Sequence, residues 1–186
     1  ASVITGVLDN SSIPKPADSI VFFATPRFNA NLGGRSGADQ ICKNYLDNQS
    51  ISMFNNSCSN VRAVISIDAS DEIRDMATNY SIPRNVDIRG SSGIKIGTSW
   101  DNFTSGTFLY PLASVIGEMD LGNNDWYRYW SGSTTSGALS NHCSNFSTAS
   151  GSGATYANTH DIGTGTLGGT SNSDCDTTYK VLCICF

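Results

Sequence analysis

Residues 22–46 read FFATPRFNANLGGRSGADQICKNYL. The stretch is entered by Ile20-Val21-Phe22-Phe23-Ala24, an apolar run short enough for a buried strand. Asn29, Asn31, Gly33 and Gly34 then supply turn chemistry. Beyond the glycines, Ala38, Ile41, Cys42, Tyr45 and Leu46 recur at helical spacing and share one face. Ser36 is placed to cap that helix, with Asp39 three positions on as a short-armed capping box. Strand, glycine turn and helix therefore follow within one compact unit, and Cys42 sits on the helix's inward face. The glycines are architectural in this setting and do not form a phosphate cradle.

The chain has 186 residues, a length that fits one domain or one domain with a short stalk. Only 15% of residues are charged, while Gly, Ser, Thr and Asn abound, which points to a loop-rich β-type protein. The net charge of −5, with no run of Lys or Arg, argues against nucleic acid as a partner. No apolar segment approaches the roughly 20 residues that span a bilayer, so membrane insertion is not expected. Ala1 opens the chain without a leader pattern, the expectation for a mature form or an excised fragment. Six cysteines, no CxxC pair and only two His read as three disulfides in an oxidising location, extracellular or at a cell surface, rather than as a zinc site. Cys183 and Cys185 alternate along one strand, which puts both sulfurs on the same face.

Working outward, residues 1–19 read as a lead-in, with Val3, Ile4, Val7 and Leu8 followed by the stiff Pro14-Lys15-Pro16. As the end of a stalk, that apolar piece would pack against its own copies and make a homotrimer. Met53 and Phe54 anchor a polar loop that Cys58 ties down. Residues 61–67, VRAVISI, read as a strand, and 71–76 as a helical turn. Residues 86–89 and 94–97 flank Gly90-Ser91-Ser92-Gly93 as a hairpin. Residues 133–172 are nearly all Ser, Thr, Gly, Asn and Ala, a long run that reads as loop held by cysteines. Residues 179–186 form the closing strand. The fold class is α+β, with a mainly antiparallel sheet, one main N-terminal helix and long disulfide-tied loops, and the domain covers 20–186.

Five pieces, in this order, carry a resemblance: VFFATPRFNANLGGRSGADQIC at 21–42, GIKIGTS at 93–99, YWSG at 129–132, NHCSNF at 141–146 and CDTTYKVLC at 175–183. The chain resembles the C-type-lectin-like fold. More closely, it is similar to the bacterial domain family related to endostatin and C-type lectins, as found in leptospiral surface lipoproteins. The resemblance implies a bond from Cys42 to Cys183 and one from Cys143 to Cys175, leaving Cys58 with Cys185. The swap, Cys42–Cys185 with Cys58–Cys183, stays open, because 183 and 185 share a face. It also implies a non-catalytic domain that recognises a glycan or a surface protein of a host or prey through its loops.

The residues before Cys175, Thr170-Ser171-Asn172-Ser173-Asp174, lack the Trp-Asn-Asp run of calcium-dependent sugar binders, and no Glu-Pro-Asn or Gln-Pro-Asp tripeptide occurs. No cofactor is expected. Asp120, Asn123, Asn124 and Asp125 are the oxygen donors that a calcium ion would use if one bound. Ligand contacts are expected at Trp100, Asn124, Asp125, Trp126, Tyr127, Tyr129 and His160, where aromatic faces and a polar turn suit sugar rings or protein surfaces. Trp130 is expected in the core. Tyr129 alternates with it and is expected to face out. No GxSxG elbow or HExxH pattern occurs, and only Glu72 and Glu118 represent glutamate. A polysaccharide hydrolase using Glu118 or Asp125, or a structural trimeric fibre-tip module, is the alternative reading.

Overall fold

The structure, a computed structural model, describes residues 19–48, 58–116, 127–169 and 171–186. The stalk and trimer contact expected within 1–19 fall outside the described residues apart from Ser19, which already belongs to the first strand. The Met53 and Phe54 anchor also lies outside them.

The first strand, β1, runs Ser19–Phe28. Gly33 and Gly34, with φ of +80° and +67°, turn the chain as only glycine does without strain. Helix α1 follows at Gly34–Asn48. It begins two residues before the Ser36 expected to cap it. Strand β2 covers Val61–Ala63, a 3-10 turn covers Ile73–Asp75, and α2 covers Met76–Asn79. The hairpin forms as expected, from β3 at Asp87–Gly90 and β4 at Lys95–Gly97. Short helices α3 (Trp100–Thr104) and α4 (Leu112–Val115) lead to β5 (Arg128–Trp130). A left-handed turn α5 (Cys143–Phe146), β6 (Ser152–Asn158), β7 (Asn172–Asp174) and β8 (Tyr179–Cys185) complete the described elements.

The sheet order is β4-β3-β1-β8-β5-β6-β7, with β2 also paired to β8. The sheet is mixed: β1–β3 and β5–β8 are parallel, and the other five pairs are antiparallel. Both faces are covered. Ile20, Phe22, Leu182 and Ile184 enter one core, while Val21, Phe23, Val181, Cys183 and Cys185 enter the other. A strand buried on both faces has no polar alternation to display, so β1 and β8 read as continuous apolar runs. The fold is thus α+β with three disulfides, Cys42–Cys183, Cys58–Cys185 and Cys143–Cys175. The pairing left open in the sequence is settled in favour of Cys42 with Cys183, and both closing-strand sulfurs do share a face.

Two expectations about strands and loops change. The strand read at 61–67 is a ladder only over β2; Val64 and Ser66 instead donate singly to the carbonyls of Leu182 and Ser131, both at 2.8 Å. The run at 133–172 is not all loop, since β6 pairs with both β5 and β7 inside it. Small side chains made it look structureless, yet Ala154 and Ala157 are buried and Thr155 bonds Ser140 and Asn172 through its hydroxyl.

Asp39 is not a capping residue but part of a polar clamp that seats α1 on the sheet. Its carboxylate accepts from the Ala63 N–H and from Arg62, both at 2.8 Å. Arg35, one turn earlier, donates to the carbonyls of Ala63 (2.7 Å) and Ile65 (2.5 Å) and twice to Asp71. Tyr80 lies against both guanidiniums, at 5.2 Å from Arg35 and 4.7 Å from Arg62, and burial pushes its phenol up to about 12. Replacing Arg35 by Ala leaves two carbonyls and a half-buried carboxylate without their donor. The expected loss is about 3 kcal/mol or more, read as a lower urea midpoint at unchanged slope. A loss below about 1 kcal/mol, the level of an exposed pair, would contradict the clamp.

Candidate functional site

Two of the expected contact residues are core. Trp100 is fully buried. Ser99 caps α3 by accepting from the Asn102 N–H, and the helix turns Trp100 and Phe103 inward against Phe22. Tyr129 is also fully buried, although it alternates with Trp130 as expected. Alternation moves a side chain to the other face of the sheet, and here that face is packed too. The Tyr129 hydroxyl donates to the Thr166 carbonyl, and burial raises its pKa far above the ordinary phenol range. Trp130 occupies the core as expected, with its indole N–H donated to the Phe28 carbonyl at 2.9 Å. Asn124, Asp125 and Trp126 lie outside the described residues, as do Glu118, Asp120 and Asn123, so the expected calcium donors and hydrolytic acids fall there as well.

Tyr127 and His160 do come together. Their ring centroids are 4.5 Å apart, and the backbone is tied by the Thr159 N–H donating to the Tyr127 carbonyl at 2.8 Å. His160 is exposed and Tyr127 half-buried. The same corner gathers other loops. Ala113 donates to the Thr159 carbonyl at 2.9 Å, and Gly106 abuts Gly163 so closely that an added Cβ would stand 2.3 Å from its carbonyl carbon. Leu109, Tyr110 and Ile162, on these adjoining loops, are 63%, 53% and 61% exposed.

The ends of β5, β6 and β8 form a second constellation. Arg128 shares a face with Trp130 by strand alternation. Its guanidinium lies 4.6 Å from the ring of Tyr156 and 6.0 Å from that of Tyr179. Tyr156 and Tyr179 pack at 4.9 Å, and Tyr179 meets Trp130 edge-on at 4.7 Å. The Tyr179 hydroxyl donates to Ser173 at 3.2 Å. Ser173 in turn lines an open groove of about 400 Å³ with Ser152, Gly153, Asn172 and Asp174. The Arg27 guanidinium lies 5.8 Å from the centroid of the Tyr179 ring. A guanidinium packed against two tilted rings thus stands beside a groove of hydroxyl, amide and carboxylate groups. Such a surface can hydrogen-bond polyols and stack on apolar ring faces. The sequence reading missed Arg128, Tyr156 and Tyr179. The signal available was the two-residue period that places Arg128 beside Trp130 on one face. Tyr156 was hidden in a Ser/Gly-rich run that read as loop.

Among the described residues, no group of three or more His, Cys, Asp or Glu is placed to hold a metal ion. No helix among them is long and apolar enough to cross a membrane. No family model matches the chain, and no curated protein matches it either.

Lys180 opens toward the same end of β8, paired in register with Arg27 and Tyr129. Burial, with Arg27 alongside, pushes its ammonium down to about 8. The unfolded chain holds that proton to about pH 10.4. Unfolding therefore takes up a proton between about pH 8 and 10.4, and stability rises with pH across that window. Amine labelling against pH is expected to show Lys180 half-reactive near pH 8. Half-reactivity above about pH 10, the ordinary lysine range, would contradict its burial.

Proposed function

We propose that the chain is a non-catalytic recognition domain that binds a glycan, exposed outside the cell or on a bacterial surface. The observation that carries this reading is the Arg128–Tyr156–Tyr179 stack beside the groove of Ser152, Asn172, Ser173 and Asp174. Contact with the two rings holds the guanidinium in place before a ligand arrives, so little side-chain freedom is lost on binding. Half-buried Tyr156 offers aromatic surface to a sugar's C–H face, and the groove offers donors and acceptors for its hydroxyls. Function then resides on strand ends and loops over a rigid frame. The helix cysteine joined to the closing strand and the inner Cys143–Cys175 pair support assigning that frame to the C-type-lectin-like fold. Within it, they support the endostatin-related bacterial surface family. Three disulfides support an oxidising, extracellular location.

A protein ligand is the second reading, favoured by exposed Leu109, Tyr110 and Ile162 on adjoining loops. Exposed large apolar side chains in one region mark docking surfaces.

A mixed glycan array, probed with the chain and two variants, separates the readings. The glycan reading expects binding to a subset of glycans that Tyr156→Ala weakens by about tenfold or more, the loss of one stacked contact. Leu109→Asp should leave that binding unchanged. Silence on every glycan, with capture of a surface protein that Leu109→Asp abolishes, would overturn the glycan reading in favour of the protein one.

A further inference from the structure

The three disulfides sit in different surroundings. Cys42 and Cys183 are both fully buried, and Cys143 and Cys175 are 8% and 1% exposed. The third bond joins fully buried Cys185 to half-buried Cys58. Cys58 lines an open groove of about 510 Å³ between α1 and the segment leading into β2. Arg35, Lys43 and Arg62 line the same groove against the single carboxylate of Asp39. Arg35 and Arg62 are held in the clamp, but among the described residues Lys43 pairs with Asp47 alone, at the surface, where both side chains are more than half exposed. An exposed ion pair of that kind is worth little and releases its lysine readily.

We infer that Cys58–Cys185 is a thiol-exchange site, opened from the groove by anionic small thiols of the glutathione class while the other two bonds stay closed. The inference does not rest on the glycan reading. A thiolate attacks a disulfide sulfur along the S–S axis, and access and local positive charge set its rate. Cys58 lines the groove, whereas Cys185 is fully buried and does not line it. The incoming thiolate forms a bond to Cys58 Sγ, the Cys58–Cys185 bond breaks, and Cys185 leaves as a thiolate that takes a proton from water. A second thiol molecule can then attack the small-thiol sulfur of the mixed disulfide, releasing Cys58 as a thiol and the oxidised small-thiol dimer. Electrons balance, with the protein disulfide reduced and two small thiols oxidised. The carboxylates of such a thiol would lie near Lys43 and Arg62 in the mixed disulfide.

Opening this bond need not unfold the domain. Cys185 stays paired in register with Val21 and Val61, and Asn60 and Phe186 exchange reciprocal backbone hydrogen bonds at 3.0 Å. The closing strand therefore keeps its ladder when its last cysteine is free.

The test treats the intact chain with glutathione under native conditions, quenches in acid, alkylates, and maps all six cysteines by peptide mass. The expected result is opening of Cys58–Cys185 about tenfold or more faster than either other bond, in line with its access. The mixed disulfide should be on Cys58, and circular dichroism should be unchanged. Another bond opening first, all three opening together, or the mixed disulfide forming on Cys185 would overturn the proposal. Lys43→Glu should slow glutathione several-fold and slow 2-mercaptoethanol, whose thiolate lacks the carboxylates, by distinctly less. An equal effect on both thiols would remove the groove's charge from the account.

Discussion

The closing strand β8 must be hydrogen-bonded along both edges, because it is buried on both faces. Val181 to Cys185 are all fully buried. A buried backbone group without a partner costs as much as a lost hydrogen bond, so every neighbour of β8 is obligatory. One edge is taken by β1 over most of its length. The other is shared, with β2 pairing at Cys183 to Cys185 and β5 at Lys180. Val64 fills the interval between them by donating to Leu182. Segments from three distant parts of the chain thus converge on seven residues of strand. Disulfides from Cys183 and Cys185 reach back to α1 and to the approach of β2, so covalent and hydrogen-bonded closure coincide at one end.

The other end of the same strand carries the surface proposed for recognition. Tyr179 and Lys180 begin β8, and Arg128 and Tyr156 stand beside them on β5 and β6. Support for that end includes an expensive local conformation. Cys143, Ser144, Asn145 and Phe146 all have φ between 45° and 58°, in the left-handed region. Each non-glycine residue there costs about 1–2 kcal/mol. The Cys143–Cys175 bond, the fully buried Phe146 ring against Trp130, and the Leu32 N–H donated to the Phe146 carbonyl at 2.9 Å offset that cost. The turn thereby locks the glycine entry to α1 against the strand that precedes the groove.

Much of the frame was legible. Continuous apolar runs announced β1 and β8, the Gly-Ser-Ser-Gly turn announced the hairpin, and helical spacing put Cys42 inward. These are local signals, and local signals are what a sequence carries openly. The seat of α1 was not legible, because Arg35 and Asp39 act on β2 and Asp71 rather than on their own helix. Asp39 three positions after Ser36 imitated a capping box. The site was only half legible. Tyr127 and His160 were named separately and the fold brings them together, but Trp100 and Tyr129 are core. Aromatic density alone does not tell a binding surface from a packing one. Period-two alternation predicts exposure only when one face of a sheet is open, and nothing local reveals that both are covered. Arg128 and Tyr156 are 28 residues apart in sequence on the antiparallel pair β5 and β6, a juxtaposition visible only once β6 is known to be a strand.

Strand β8 is the common support of the clasp at one end and of the proposed recognition surface at the other. Native-state amide hydrogen exchange across the chain tests this most directly. The account predicts that the amides of Val181 to Ile184 and their β1 partners at Phe22 to Ala24 exchange last, together, and only on global unfolding. Amides of β4 or β7 outlasting β8, or the two ends of β8 exchanging as separate units, would contradict it.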